Sequence, residues 1–130
     1  MSNADVAVRV TEEIPSGVID PVVLHPDFHA WTLTLGELSR ERYLTALNRM
    51  ATLFDPPLQV EVIGVTDGGD RIAVEARSSG TLPDGSVYRN SYHFLFAFAG
   101  RLIIEIREYL DTSVVDNIRK AQAARDTASG

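Results

Sequence analysis

Gly69-Asp-Arg-Ile-Ala-Val-Glu-Ala-Arg77, Leu82-Pro-Asp-Gly-Ser-Val-Tyr-Arg-Asn-Ser-Tyr-His93 and Arg107-Glu-Tyr-Leu-Asp-Thr112 belong to three strand-like runs joined by tight turns. Each run carries ionisable or amide side chains where a plain sheet protein would carry Ser or Thr. That pattern predicts a curved sheet around a polar-lined hollow, a kind of small-molecule site.

The period of two extends on both sides. Leu58 to Thr66 reads as a strand that turns at Asp67-Gly-Gly-Asp70. Arg71 to Ser79 follows, and Pro83-Asp-Gly85 makes a hairpin turn. Ser86 to Phe98 is long and aromatic, and Ala99-Gly-Arg101 turns it into Leu102 to Leu110. Upstream, Ser39 is a good N-cap for a helix whose apolar face is Tyr43, Leu44, Leu47, Met50, Ala51 and Phe54, stopped by Asp55-Pro-Pro57. Asp20-Pro21 starts a short helix. His25-Pro-Asp27 interrupts, and Phe28 to Leu33 is a short extended run around Trp31. Residues 1–14 alternate at Ala4, Val6, Val8 and Val10, which predicts a short strand or an extended arm. Thr112 or Ser113 caps a last helix through Val114, Val115 and Ile118, with residues 125–130 a frayed tail. The expectation is one domain over residues 1–130, of α+β class: helices packed on one face of an antiparallel meander.

Composition narrows the function. The chain has 130 residues, 45% hydrophobic and 23% charged, enough for one well-buried core. A net charge of −6 disfavours nucleic acid and anionic membranes as partners. The absence of cysteine excludes disulfides, thiolate metal sites and cysteine nucleophiles. No apolar run is long enough to span a bilayer, and the N-terminus lacks a signal-peptide layout, so the cytoplasm is the default location.

Residues two apart on a strand share a face. Glu75 and Arg77 therefore share one; so do Asn90, Tyr92, Phe94 and Phe96; so do Glu105, Arg107, Tyr109 and Asp111, with Ile104, Ile106 and Leu110 opposite. If the polar faces coincide, Glu75, Arg77, Asn90, Tyr92, Arg107, Tyr109 and Asp111 line one hollow, closed by the long helix and the Trp31 segment. Asp27 and Trp31 would stand at its mouth, although Trp31 also reads as core. A carboxylate desolvated there would have a raised pKa suited to proton transfer, and phenols and an amide would serve a developing oxyanion or a water. The competing reading is a solvated face with cross-strand ion pairs. His93 is out of phase with Asn90 and Tyr92. His25 and His29 are four apart, but Pro26 breaks a helix between them, so no metal pair is expected. No glycine-rich phosphate loop or nucleophile elbow is present.

Gly69–Arg77, Tyr88-Arg-Asn-Ser-Tyr-His-Phe-Leu-Phe96 and Gly100-Arg-Leu-Ile-Ile-Glu-Ile-Arg-Glu-Tyr-Leu-Asp-Thr112 together resemble the SnoaL-like branch of the nuclear transport factor 2-like superfamily, over about residues 20–120. Ketosteroid isomerases, scytalone dehydratase and limonene epoxide hydrolase belong to that superfamily. The resemblance implies a cone: a strongly bent sheet wrapped around helices, a deep pocket, and a homodimer through the outer sheet face. Ketosteroid isomerases carry an oxyanion-hole acid where this chain has Tyr92, and a general-base Asp in the segment that here runs Trp31-Thr-Leu-Thr34 with no carboxylate. Asp111 matches the acid–base Asp of SnoaL-like cyclases and one Asp of the epoxide hydrolases. Glu75 and Arg77 resemble the latter's other Asp–Arg pair in reversed order. The implied function is a cofactor-free isomerase, cyclase or hydrolase of a small hydrophobic carbonyl or epoxide, with Asp111, Glu75 and Arg77 catalytic and Asn90, Tyr92, Arg107, Tyr109, Trp31 and Asp27 binding substrate. The alternative is a non-catalytic ligand-binding or dimerisation module of the same fold.

Overall fold

The four strands read from the period of two are present in the computed structural model, which describes residues 1–129. They are β3 (Gln59–Asp67), β4 (Arg71–Thr81), β5 (Val87–Ala99) and β6 (Leu102–Leu110), an antiparallel meander. Two more strands precede them, β1 (Leu24–Thr32) and β2 (Gly36–Ser39). The result is a six-stranded, curved, unclosed sheet in the order β2-β1-β6-β5-β4-β3. β1 lies parallel to β6 and antiparallel to β2. His25-Pro-Asp27, expected to interrupt, lies inside β1. The register with β6 shifts between Leu24 and His29, an irregularity that accommodates a proline without a donor.

One face of the sheet is the core. β4 contributes Ile72, Val74 and Ala76, β5 contributes Phe94 and Phe96, and all are buried. In β6 the pairing runs Ala97–Glu105 and then Phe98–Ile103, so Ile104 is an extra residue without a β5 partner. The bulge moves the phase by one. Ile103 and Ile106 are therefore both fully buried, while Ile104, expected in the core set, is half-buried.

The stretch 1–14 holds a helix, not a strand or arm. α1 spans Asn3–Glu13; the Ser2 side chain accepts from the Asp5 backbone, and the Asp5 carboxylate accepts from the Ser2 backbone at 3.0 Å. Its buried stripe is Ala7, Val10, Thr11 and the following Ile14, a helical spacing that the alternating valines concealed. Asp20 caps a single turn at Pro21–Val23, as expected. α2 (Arg40–Ala51) starts where the Ser39 hydroxyl accepts from the Arg42 backbone, and it buries Tyr43 and Leu47. α3 (Val115–Ser129) follows a turn at Thr112–Val114 and runs through the stretch expected to fray, with Gly130 outside the described residues. It seats Ile118 in a second cluster with Leu53, Phe54, Leu58, Leu82 and Tyr88, and Asp126 pairs with Arg49 of α2 at 2.9 Å. Among the described residues no helix is long and apolar enough to cross a membrane.

Val10 distinguishes a packed helix from a loose arm, because its side chain is completely buried. Val10→Asp should cost several kcal/mol, since it buries a charge with no partner. Chemical denaturation measures this; a midpoint within error of wild type would contradict the packing of α1.

Candidate functional site

The pairing of β4, β5 and β6 divides the expected site residues between the two faces. Tyr92 pairs with Ala76 and Leu110, and Asn90 with Ser78, so these two point inward and are buried. Glu75, His93 and Tyr109 are in register on the opposite, outward face, as are Leu95 and Arg107. The seven residues therefore do not line one hollow: those chosen on β4 and β6 are out of phase with Asn90 and Tyr92. Glu75 and Arg77 are exposed, and Arg77 pairs with exposed Glu61 at 3.2 Å rather than with Glu75. Arg107 stacks 4.3 Å from the half-buried Trp31 ring, which lies 5.1 Å from Tyr109. Asp27 is exposed, and its backbone N–H donates to His25 Nδ1.

Asp111 sits at the exposed end of β6. Its carboxylate accepts from the Ser113 hydroxyl at 2.7 Å and the Ser113 N–H at 2.9 Å. Those bonds hold its pKa below the usual carboxylate range, and they cap the turn into α3. The Asn90 amide grips the Asp111 backbone, donating to its carbonyl at 3.2 Å and accepting from its N–H at 2.9 Å. Asn90 also donates to Tyr88 Oη at 2.8 Å, and Tyr92 Oη shares a 2.8 Å bond with Ser78 Oγ. Asn90 and Tyr92 are thus committed to partners within the protein.

A cavity of about 160 Å³ lies between α2, the β1–β2 turn, β6 and α3. Tyr43 and Leu47 of α2, Thr32 of β1 and Ile118 of α3 are among its walls, so the long helix closes it as expected while the Trp31 side chain does not. Glu108 is its carboxylate. Glu108 pairs with Phe94 on β5 and Thr32 on β1, in the inward phase of Ile106 and Leu110. Burial pushes its pKa up to about 7. The Tyr43 phenol is buried and has no hydrogen-bond partner among the described residues. Burial raises its pKa well above the usual value, and the Glu108 charge adds to the rise. A carboxyl that titrates near neutrality can both give and take a proton, and a free phenol can donate to an oxygen that gains charge. An apolar cavity of this size holds about one benzene-sized group.

Sequence reasoning missed both groups. Glu108 had a signal: it is the one carboxylate in the apolar series Ile106, Glu108, Leu110. Tyr43 had none beyond its place on the apolar face of α2.

Glu108 makes stability depend on pH. Its pKa is raised in the folded state, so folding is favoured while it is protonated, and that contribution is lost as pH rises from about 4.5 through about 7. The shift corresponds to on the order of 3 kcal/mol. Urea unfolding at pH 5 and pH 8 should show wild type weakening at the higher pH, with most of that difference absent in Glu108→Gln. An equal difference in both proteins would place the Glu108 carboxyl in water.

No family model matches the chain, and no curated protein matches it. Solved structures do. A candidate SnoaL-like polyketide cyclase from Jannaschia is 24% identical, with 89% of this chain and 90% of that one covered and a TM-score of 0.75. A nuclear transport factor 2-like protein from Anabaena variabilis is 23% identical, covering 85% and 90%, at a TM-score of 0.70. A protein of ketosteroid isomerase-like fold from Catenulispora acidiphila, in complex with trimethylamine, is 16% identical, covering 83% and 87%, at 0.67. At these identities the likeness is one of fold: the chain has the nuclear transport factor 2-like fold, in the form seen in SnoaL-like and ketosteroid isomerase-like proteins.

Proposed function

We propose that this chain is an acid–base enzyme, an isomerase, cyclase or hydrolase, acting on a small hydrophobic carbonyl or epoxide compound held in the α2–β6–α3 cavity. The observation that carries the reading is the pair of polar groups in that cavity: Glu108, poised near neutrality, and Tyr43, a buried phenol with a free donor. In an isomerisation, ionised Glu108 takes the proton from the carbon beside the carbonyl, and Tyr43 donates a hydrogen bond to the oxygen as it becomes an enolate. Protonated Glu108 then returns the proton to another carbon, and the carbonyl re-forms. Glu108 replaces Asp111, which the cap holds ionised and exposed. Pairing of two copies through the outward sheet face, where Ala73, Leu95 and Ala97 are half-buried, belongs to the same reading.

A second reading is a carrier of a small organic cation. It is favoured by the placing of one carboxylate in an aromatic-walled cavity with Tyr43 and Tyr88, together with the trimethylamine held by the Catenulispora protein of this fold. Thermal-shift titration separates the two. Small cyclic enones that raise the melting temperature support the enzyme, whereas trimethylammonium alone doing so supports the carrier.

Tyr43→Phe gives a test with two opposite signs. Deleting a buried hydroxyl that has no partner among the described residues should leave the ligand-free protein as stable as wild type or up to about 1 kcal/mol more stable. The same change should lower turnover of an accepted enone by about 10- to 1,000-fold, and Glu108→Gln should abolish it. Full turnover by Glu108→Gln would end the acid–base reading, and a clear loss of stability in Tyr43→Phe would show that the phenol has a partner.

A further inference from the structure

The outward face carries a second group of chemistry-bearing side chains, on three adjacent strands and on the side of the sheet opposite the cavity. His29 of β1 pairs directly with Glu105 of β6. Glu37 of β2 pairs with Trp31, two residues from Ser39, the β2 partner of His29, so it shares their face. His29 Nε2 lies 3.0 Å from Glu105 Oε2, and the donor atoms of His29, Glu37 and Glu105 all lie within 4.8 Å of one another.

We propose that His29, Glu37 and Glu105 bind one first-row divalent cation of the Zn²⁺ type. One imidazole nitrogen and two carboxylate oxygens are a borderline donor set, which suits Zn²⁺ or Ni²⁺ better than the oxygen-seeking Mg²⁺ and Ca²⁺. Ligands about 2.0–2.2 Å from a tetrahedral metal stand roughly 3.3–3.5 Å apart. The His29–Glu105 spacing is close to that, and the exposed Glu37 side chain closes the remainder by rotation.

The surroundings hold the donors. The Asp27 carbonyl lies 3.5 Å from His29 Nδ1, on the side where a backbone acceptor leaves Nε2 free to ligate. The Glu105 side chain is only 18% exposed, and Arg107 Nη1 stands 3.5 Å from the same Oε2. Arg107 is itself held on Trp31. Its charge offsets one of the two carboxylates and limits affinity, but it leaves the second carboxylate and the imidazole for the metal. Three protein donors leave a fourth position for water. Without metal, the same 3.0 Å contact is a hydrogen-bond-length pairing of the His29 ring with the Glu105 carboxylate.

Calorimetric titration of the full chain with ZnCl2 tests the site. Wild type should take up one Zn²⁺ per chain saturably, with no saturation by MgCl2. His29→Ala and Glu105→Gln should each weaken Zn²⁺ binding at least tenfold. Glu37→Gln, an exposed change that leaves the fold intact, should weaken it measurably. Absence of saturable Zn²⁺ binding to wild type would overturn the proposal. So would equal affinity in wild type and His29→Ala, which would place the metal on other side chains.

Discussion

The register of β5 against its two neighbours is the constraint on which everything else rests. Val74, Phe94 and Glu108 stand in one row across β4, β5 and β6. The side-chain period of a strand is two, so sliding either pairing by one residue would turn the phenylalanines to solvent and the arginines to the core. Phe94 and Phe96 are buried and make that slip prohibitive. The same row carries Glu108 inward. Its burial is thus enforced by the apolar residues beside it, and the site's chemistry is a by-product of sheet register.

That arrangement sets stability against function. A carboxyl pushed to a pKa of about 7 and a phenol without a partner among the described residues both weaken the ligand-free fold. The surrounding polar groups are satisfied: Asn90 with Tyr88 and Asp111, Tyr92 with Ser78. Unsatisfied polarity is concentrated where a ligand would sit. Thr11, also fully buried, bonds the Ala7 carbonyl, so a buried hydroxyl in this protein does not go without a partner by default.

The sequence was most legible where one period dominated. The β3–β6 meander, its turns, the start of α2 at Ser39 and the cap at Asp20 all followed from local chemistry. α1 was misread because Ala7 and Val10 fit a helix while Ala4, Val6, Val8 and Val10 also fit a strand; the Ser2–Asp5 capping box was the deciding signal. β2 was too short to announce itself. The site failed for a different reason. Strand periodicity says which residues share a face, but not which face of β5 meets which face of β6. The choice that joined Asn90 and Tyr92 to Arg107 and Tyr109 was one residue out of phase. The His29–Glu37–Glu105 cluster was beyond local reading, because its members meet only through β2–β1–β6 pairing. The likeness to solved structures extends to the architecture and leaves the chemistry to these side chains.

The parallel pairing of β1 with β6 has a kinetic consequence. His29 and Glu105 are 76 residues apart, yet they are direct neighbours in the sheet. On a ribosome β1 and β2 emerge long before β6 and have no β6 to dock against, while the sheet strands that α1 packs on, chiefly β3 and β4, also come later in the chain. The meander closes locally, so the slow loop closure falls on the N-terminal hairpin. The cavity is complete only when β1 has docked on β6 and α3, which follows β6, has packed over it; before then Glu108 faces water. The nascent chain would carry its acid as an ordinary surface glutamate, acquiring the shifted pKa only once β1 and α3 have closed around it.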